Sequence, residues 1–415
     1  LSDWSSDVCS SDLVRFDRKN YYYSDLPKGF QITQQFHPIG QSGFIDLELD
    51  EGTKRIRINR LHMEEDTAKQ YHVEDETWID FNRAGTPLIE IVSEADIRSA
   101  KEAMAYVEKL RNILVYLGVS DGKMEEGSLR CDVNISLREV GTEAFGVKTE
   151  VKNLNSISNI ERAIQAEVER QSALLDAGEP VEQATRRYDD VARVTLLMRK
   201  KEGTIDYKYF PEPNIPPIRL DQRWIEVIQA SMPELPDVRY ARYMGLGLSD
   251  YDARVLVSNK ALSDFFDKLL KHTYYVKLAA NYCISELLAN VNQKALQEEG
   301  YALKIEEMGQ LINGIGQQDI SSKQAKDIFG ELLKGNDYRA TIKALSIEQV
   351  SDTSVLSSLI ASVLAENEQS IIDYHHGKDR ALGYLMGQIM KKSKGQANPA
   401  LTSKLLLEEL LKRNA

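Results

Sequence analysis

The chain has 415 residues, too many for a single compact core, and is expected to fold as two or three domains. With 42% hydrophobic and 28% charged residues and a mean hydropathy of −0.39, it is neither a disordered chain nor a membrane-spanning one. A net charge of −12 argues against a protein coated in nucleic acid, although local contact stays open because the charge is unevenly placed.

The first thirteen residues, LSDWSSDVCSSDL, repeat Ser-Ser-Asp, lack a hydrophobic period and begin with Leu. They resemble translated adapter sequence, so they are set aside as an artefact, and the natural chain is expected to begin upstream of Val14. No apolar segment opens the sequence and none reaches bilayer length, so neither secretion nor membrane contact is expected. Cys9, Cys131 and Cys283 are too dispersed for a disulfide framework or a zinc site, which fits a reducing cytoplasm.

From Phe44 to Asp50, Ile45, Leu47 and Leu49 alternate with Asp46, Glu48 and Asp50. Glu51-Gly52 then turns the chain into a second arm with Ile56 and Ile58 inward, which predicts a hairpin. Four polar-bearing stretches read as strands: LHMEED at 61–66, TPLIEIVSE at 86–94, MEEGSLRCDVNISL at 124–137 and KTEVKNLN at 148–155. Between them, residues 99–117 read as a helix with a Ser99/Glu102 capping box and a stop at Gly118. A second helix is predicted from Ser158, with Glu161 as its box partner, to Gly178.

Hairpin and strands interrupted by separated helices indicate an α+β fold with a mainly antiparallel sheet over residues 14–234. The proline-rich YFPEPNIPPIRL at 209–220 and MPELPD at 232–237 close that region. Beyond lies a helical domain over 235–345, where Ser249 and Asp252 start a helix and Leu262, Phe265, Phe266, Leu269 and Leu270 follow the 3.6 period. A small all-α tail occupies 346–415.

Charged groups repeated at period two on neighbouring strands converge on one surface, and that surface is the candidate site. Glu90 sits inside an apolar run, where an ionised carboxylate is costly unless paired; the alternative is a strand with one solvated face. In LHMEED one face carries Leu61, Met63 and Glu65, and the other His62, Glu64 and Asp66. Clustered carboxylates bind hard cations such as magnesium, though acid runs are also ordinary surface. LRCDVNISL shows Arg130, Asp132, Asn134 and Ser136 opposite its apolar face, and KTEVK shows Lys148, Glu150 and Lys152. These supply cations for phosphate and carboxylates for metal, or equally a cross-strand salt-bridge ladder. No phosphate-cradling glycine loop is present. Residues 371–415 hold eight Lys/Arg against four Asp/Glu, a basic tail or a solvated helical end.

FDRKNYYYSDLPKGFQITQ at 16–34, RLHMEED at 60–66, NRAGTPLIEIVSE at 82–94, MEEGSLRCDVNIS at 124–136, EVKNLNS at 150–156, DYKYFPEPNIPP at 206–217 and GQIMKKSKGQANP at 387–399 carry a resemblance. In order, from Val14 to the C-terminus, they resemble the B subunits of aspartyl/glutamyl-tRNA amidotransferase. The resemblance implies a ligase subunit that uses ATP and Mg2+ to phosphorylate the side-chain carboxylate of Glu on tRNA(Gln) or Asp on tRNA(Asn). Ammonia from a partner glutaminase then displaces the phosphate, and a third, small protein completes the heterotrimer. It also implies Glu65 and Glu90 as metal ligands, and Asp132, Asn134, Lys148, Glu150 and Lys152 as catalytic residues in the same cradle. Ser128 and Arg130 are implied ATP contacts, and Lys391, Lys392 and Lys394 contacts to tRNA phosphates.

The family's chain opens with a strand bearing Glu-x-His, and many members carry zinc-binding cysteine pairs. This sequence shows neither, so an incomplete metal site, an inactive polypeptide and no structural zinc are expected. One rival reading is a tRNA-binding adaptor without chemistry. The other is the archaeal relative, whose inserted domain finds no room between Pro217 and Pro236.

Overall fold

Alternation over 44–58 folds as the expected hairpin, and the rest of the N-terminal unit is assembled around it. The computed structural model describes residues 13–200, 206–291, 302–345, 353–376, 378–393 and 396–413. Two units meet at Leu235/Pro236. The first contains β1 (Leu13–Val14), β2 (Asp17–Asn20), β3 (Phe30–Thr33), β4 (Gly40–Leu49), β5 (Gly52–Glu65), β6 (Lys69–Val73), β7 (Glu76–Asp80) and β8 (Pro87–Ser93). Then follow α1 (Ala100–Tyr116), β9 (Val133–Ile135), β10 (Thr149–Lys152), α2 (Ile157–Asp176), β11 (Ala184–Asp189), β12 (Val194–Lys200), β13 (Phe210–Pro211), β14 (Ile218–Arg219) and α3 (Gln222–Ser231). Residues 1–12 of the leader lie outside the described residues, and Leu13 pairs with Arg219.

Strands β4 and β5 turn through Asp50 and Glu51, with Leu49 opposite Gly52. Ile45, Leu47, Ile56 and Ile58 are buried against Tyr106 and Val107 of α1 and Ile160 and Ala163 of α2. Helix α1 starts as predicted, Ser99 Oγ accepting from the Glu102 N–H at 3.2 Å. The Glu102 carboxylate accepts from the Arg98 N–H at 2.6 Å and from Lys54 at 2.6 Å. Helix α2 starts earlier than predicted. Ser156, not Ser158, has the extended backbone a cap requires, and it accepts from the Asn159 N–H at 3.1 Å.

Antiparallel pairing dominates. Strands β4-β5-β8 form one sheet, β13-β2-β3 another, and β1-β14 and β6-β7 make two-stranded ribbons. The sheet β12-β11-β10-β9 contains one parallel pair, β10 with β11, which α2 connects, since parallel neighbours need a crossover. Two predicted strands are shorter than expected. The left-handed backbone at Gly127 (φ +74°) turns the chain before β9, and Asn153 (φ 68°) ends β10.

Between β5 and β8 the register slips by one residue between Ile58 and Arg60. Below the slip, Ile56 and Ile58 face the core. Above it, Leu61 lies opposite Ile91, which packs on the same core, while His62 lies opposite Glu90. A bulge of one residue thus moves the even-numbered positions of β5 from the core face to the opposite one.

Under the four-stranded sheet, Glu167 of α2 is fully buried and its carboxylate is saturated. Arg170 donates at 2.5 and 3.0 Å, Gln171 at 2.8 Å and Thr195 at 2.7 Å, with Arg186 at 3.6 Å. Burial opposes its charge, but these donors prevail and hold its pKa below the ordinary carboxylate range.

The second unit is helical: α4 (Pro236–Gly245), α5 (Asp250–Val257), α6 (Lys260–Leu269), α7 (Val276–Tyr282) running through a π turn (Cys283–Leu287) into α8 (Leu288–Asn290), α9 (Ile305–Gly316), α10 (Ser322–Leu332), α11 (Tyr338–Ala344), α12 (Thr353–Glu366), α13 (Glu368–His375), α14 (Asp379–Lys392) and α15 (Pro399–Lys412). Ser249 caps α5, accepting from the Asp252 N–H at 3.1 Å. Leu262, Phe266 and Leu269 are fully buried with Tyr243. Residues after 353 gather a cluster of their own, with Leu356, Ile360, Leu385, Ile389, Leu406 and Leu410 fully buried. Among the described residues no helix is long and apolar enough to cross a membrane.

Replacing Glu167 by Ala removes the counter-charge of Arg170 and Arg186 and is expected to lower unfolding free energy by about 3 kcal/mol in urea titrations followed by circular dichroism. Because the folded pKa is depressed, this difference is full near neutrality and fades as pH falls below the ordinary carboxylate range.

Candidate active site

Beyond the register slip, β5 places His62 and Glu64 on one face, and Asp66 follows just past the end of the strand. His62 Nε2 lies 3.6 Å from a Glu64 carboxylate oxygen and 3.9 Å from one of Glu90. One donor atom from each of the three residues falls within 4.8 Å of the others. His62 is buried beneath the two acids, and its Nδ1 is shut off from solvent with no hydrogen-bond partner. Neither Glu64 nor Glu90 forms an ion pair with a lysine or arginine among the described residues.

Glu65, which the resemblance pairs with Glu90, is not brought to it. Its carboxylate points to the other face of β5, where it accepts from Lys28 Nζ and, at 2.9 Å, from the Ile32 N–H. Glu64 is the acid of β5 whose carboxylate lies near that of Glu90. Nor is Glu90 a buried charge: β8 is the edge of its sheet, and the Glu90 side chain is 48% exposed. What singles it out is the register that sets it opposite His62.

Asp66 is buried between two arginines. Arg130 binds it with both terminal nitrogens at 3.0 and 2.9 Å, and Arg83 Nε at 3.0 Å. Arg83 also donates to the Gly127 carbonyl at 2.6 Å. One carboxylate against two guanidiniums leaves an excess positive charge beside the acid pair. Ser128 is half-buried and hydrogen-bonds Asp121, whose pKa is lowered first by the Lys123 N–H and then by Ser128.

The second polar face belongs to the four-stranded sheet. Register aligns Asn134, Glu150, Thr185 and Arg199 across β9, β10, β11 and β12. Thr185 Oγ1 donates to Glu150 at 3.0 Å. Lys152 Nζ reaches Asp132 at 2.5 Å and Glu150 at 3.2 Å. Burial works against the Lys152 ammonium, yet Asp132 and Glu150 outweigh it and raise its pKa. Lys148 is exposed just before β10. Cys131, on the core side, has its thiol pushed up to about 12 by burial, which disfavours the thiolate.

The small sheet β13-β2-β3 joins the two faces. Gln31 Nε2 donates to the Glu65 carbonyl at 2.8 Å, and Gln34 Oε1 accepts from the Met63 N–H at 2.8 Å. On the other flank, Arg199 donates to the Tyr23 hydroxyl at 2.7 Å. Arg83, Thr185 and Arg199, which the structure brings beside these residues, are not singled out from the sequence, and His62 and Glu64 are named there only as one face of LHMEED. In the tail, Lys391 is exposed, Lys392 contacts Glu366 at 2.5 Å and Ser362 at 2.7 Å, and Lys394 lies outside the described residues.

Residues 7–226 match the family model described as the GatB/GatE catalytic domain, and residues 264–410 match that described as the GatB domain. The aspartyl/glutamyl-tRNA(Asn/Gln) amidotransferase subunits B of Bacillus cereus strain AH187 and Bacillus thuringiensis subsp. konkukian strain 97-27 are each 50% identical over 402 residues, covering 96% of this chain and 85% of the relative. The chain belongs to this family of amidotransferase B subunits. Membership gives it a role in tRNA-dependent amidotransfer. The tRNA-binding domain of Saccharomyces cerevisiae glutaminyl-tRNA synthetase overlaps 43% of this chain and 94% of its own at 17% identity, but a TM-score of 0.26 carries no structural argument.

For a family expected to hold Mg2+, the chemistry of the donors matters. Two carboxylates, Glu64 largely covered and Glu90 open to solvent on the edge strand, suit a hard cation that keeps some of its waters. The imidazole suits magnesium poorly as a ligand and is placed instead to hold the carboxylates in position from below. Mn2+ binding to the full chain, read by electron paramagnetic resonance, is expected to weaken at least about tenfold in Glu64→Gln, in Glu90→Gln and in His62→Ala. Glu65→Gln is expected to leave it unchanged.

Proposed function

We propose that this chain is the ATP-consuming, tRNA-holding subunit of a heterotrimeric, cytoplasmic amidotransferase acting on Glu-tRNA(Gln), Asp-tRNA(Asn) or both. A side-chain carboxylate oxygen of the mischarged residue attacks the γ-phosphorus of ATP, and the β–γ bridging bond breaks with its electron pair leaving on ADP. Ammonia released from glutamine by the partner glutaminase adds to the acyl carbon and loses a proton. The carbon–oxygen bond to phosphate then breaks, leaving the amide and inorganic phosphate. A third, small protein completes the complex.

The observation that carries this reading is the meeting of Glu64 and Glu90 over His62, with the Asp66–Arg83–Arg130 group just past the end of β5, in a chain 50% identical to amidotransferase B subunits. Mg2+, bound by Glu64 and Glu90, would offset the phosphate charge. Arg83 and Arg130, fixed by Asp66, offer guanidinium edges to phosphate oxygens. Lys152, held protonated between Asp132 and Glu150, neutralises charge on the acyl phosphate. Asn134 and Glu150 orient the amino acid, and Lys148 guards the exposed end of the strand. Glu65 ties β5 to Lys28 and Ile32, and Ser128 shapes the loop before Arg130.

With its partner proteins, Glu90→Gln is expected to lose amide formation at least about a hundredfold while keeping tRNA affinity, because charge stabilisation acts mainly in the transition state. Full turnover in this variant would put the adaptor reading in place of the catalytic one. In filter-binding titrations, joint replacement of Lys391, Lys392 and Lys394 by Ala is expected to weaken tRNA binding. The slope of log affinity against log salt should fall by about 2 to 3, close to one for each lysine–phosphate pair removed.

A further inference from the structure

The chemistry proposed above leaves an aromatic cluster in the segments flanking the small sheet without a task. Tyr23, Tyr21, Tyr207, Tyr209 and Phe36 form an unbroken row, with successive ring centroids 5.9, 6.0, 5.9 and 6.2 Å apart and every pair edge to face. Lys19 Nζ lies 4.8 Å from the centre of Tyr207 and 5.5 Å from that of Tyr21. Arg199 holds the hydroxyl at the Tyr23 end.

Packing alone does not account for the row. None of the five rings is buried, Tyr23 and Phe36 are 52% and 57% exposed, and neighbouring Tyr22 is 95% exposed. The backbone beneath it is strained: Lys208, between the two tyrosines of the second segment, has φ 46°, a left-handed conformation unusual for lysine. Asn20 holds that turn, donating to the carbonyls of Lys208 at 2.7 Å and Tyr207 at 3.4 Å.

The row adjoins the acid pair. The Tyr21 hydroxyl donates to Gln31 at 3.4 Å, and the Gln31 amide grips the backbone of Glu65. Burial first, then the charges of Asp25 and Glu64, raise the Tyr21 pKa; burial first, then Tyr207, with smaller contributions from Glu64 and Glu90, raises that of Tyr209. Exposed aromatic faces interleaved with cations, beside a phosphate-handling site, have the composition that stacks unpaired bases.

We propose that this tyrosine row is the stacking platform for an unpaired nucleobase whose phosphate or acyl end lies at Glu64 and Glu90. The inference rests on the amidotransferase reading. Two sources offer the same ring: the adenine of ATP and the terminal adenosine of the charged tRNA.

Equilibrium binding to the full chain is measured for ATP and inorganic tripolyphosphate, each with Mg2+, and for tRNA with and without its terminal adenosine. Tyr207→Leu and Tyr23→Leu are expected to lose about tenfold in affinity for the base-bearing probe, the usual worth of one stacked base, while Tyr207→Phe and Tyr23→Phe retain it. A loss for ATP but not tripolyphosphate assigns the platform to ATP. A loss for intact but not trimmed tRNA assigns it to the tRNA end. If Tyr207→Leu fails to fold by circular dichroism, Tyr23→Leu and Phe36→Leu, both at the surface, decide. Unchanged binding in the Leu variants, or equal damage from Phe and Leu, overturns the platform while leaving the amidotransferase reading intact. If the wild-type chain binds none of the four probes, both fall together.

Discussion

One extra residue in a strand sets the chemistry of the N-terminal unit. Strand β5 must bury Ile56 and Ile58 in the hairpin core and, from four residues on, turn His62 and then Glu64 to the opposite face. Strict alternation cannot do both with even-numbered residues. The slip between Ile58 and Arg60 resolves the conflict, because it reverses the parity of the strand while Ile91, opposite Leu61, stays packed on the core. His62 and Glu64 then share one face, and Glu90 meets them across the ladder.

Around that strand, charges are treated in two ways. Carboxylates that build the fold are paired or saturated: Glu212 with Arg18, Glu102 with Lys54, Glu167 with its four donors. Glu64 and Glu90 have only a histidine between them. Two like charges at that spacing are unfavourable without a cation, so the fold holds them against repulsion through the ladder on one side and Gln31 and Gln34 on the other. Because those supports are main-chain and amide hydrogen bonds, they leave the charge available.

Much of the fold was legible in the sequence where neighbours in the chain decide the outcome. The hairpin, the Ser99 and Ser249 caps and the periodic core of α6 follow from local pattern. Ser156 took the cap expected of Ser158 because both can accept from a third-residue amide, and the extended backbone was favoured earlier. The site was legible only as a set of strands. Carrying the Ile56/Ile58 alternation forward puts Glu65 with the outward residues, and no residue type in the stretch announces the bulge. The pairing of Arg83 with Asp66, and of Arg199 with Tyr23, joins residues separated by other elements and depends on sheet arrangement rather than on local pattern.

The described tryptophans both sit at the surface. Trp78, on the β6–β7 ribbon, is 57% exposed, and Trp224, on α3, is 55% exposed. Helix α3 has no buried residue at all. Indole emission from these positions is already that of a hydrated ring in the folded state, so loss of the core changes it little. The same exposure makes both rings sensitive to whatever comes to cover the ribbon or the helix. Emission from Trp78 and Trp224 is therefore a gauge of what covers those surfaces rather than of folding.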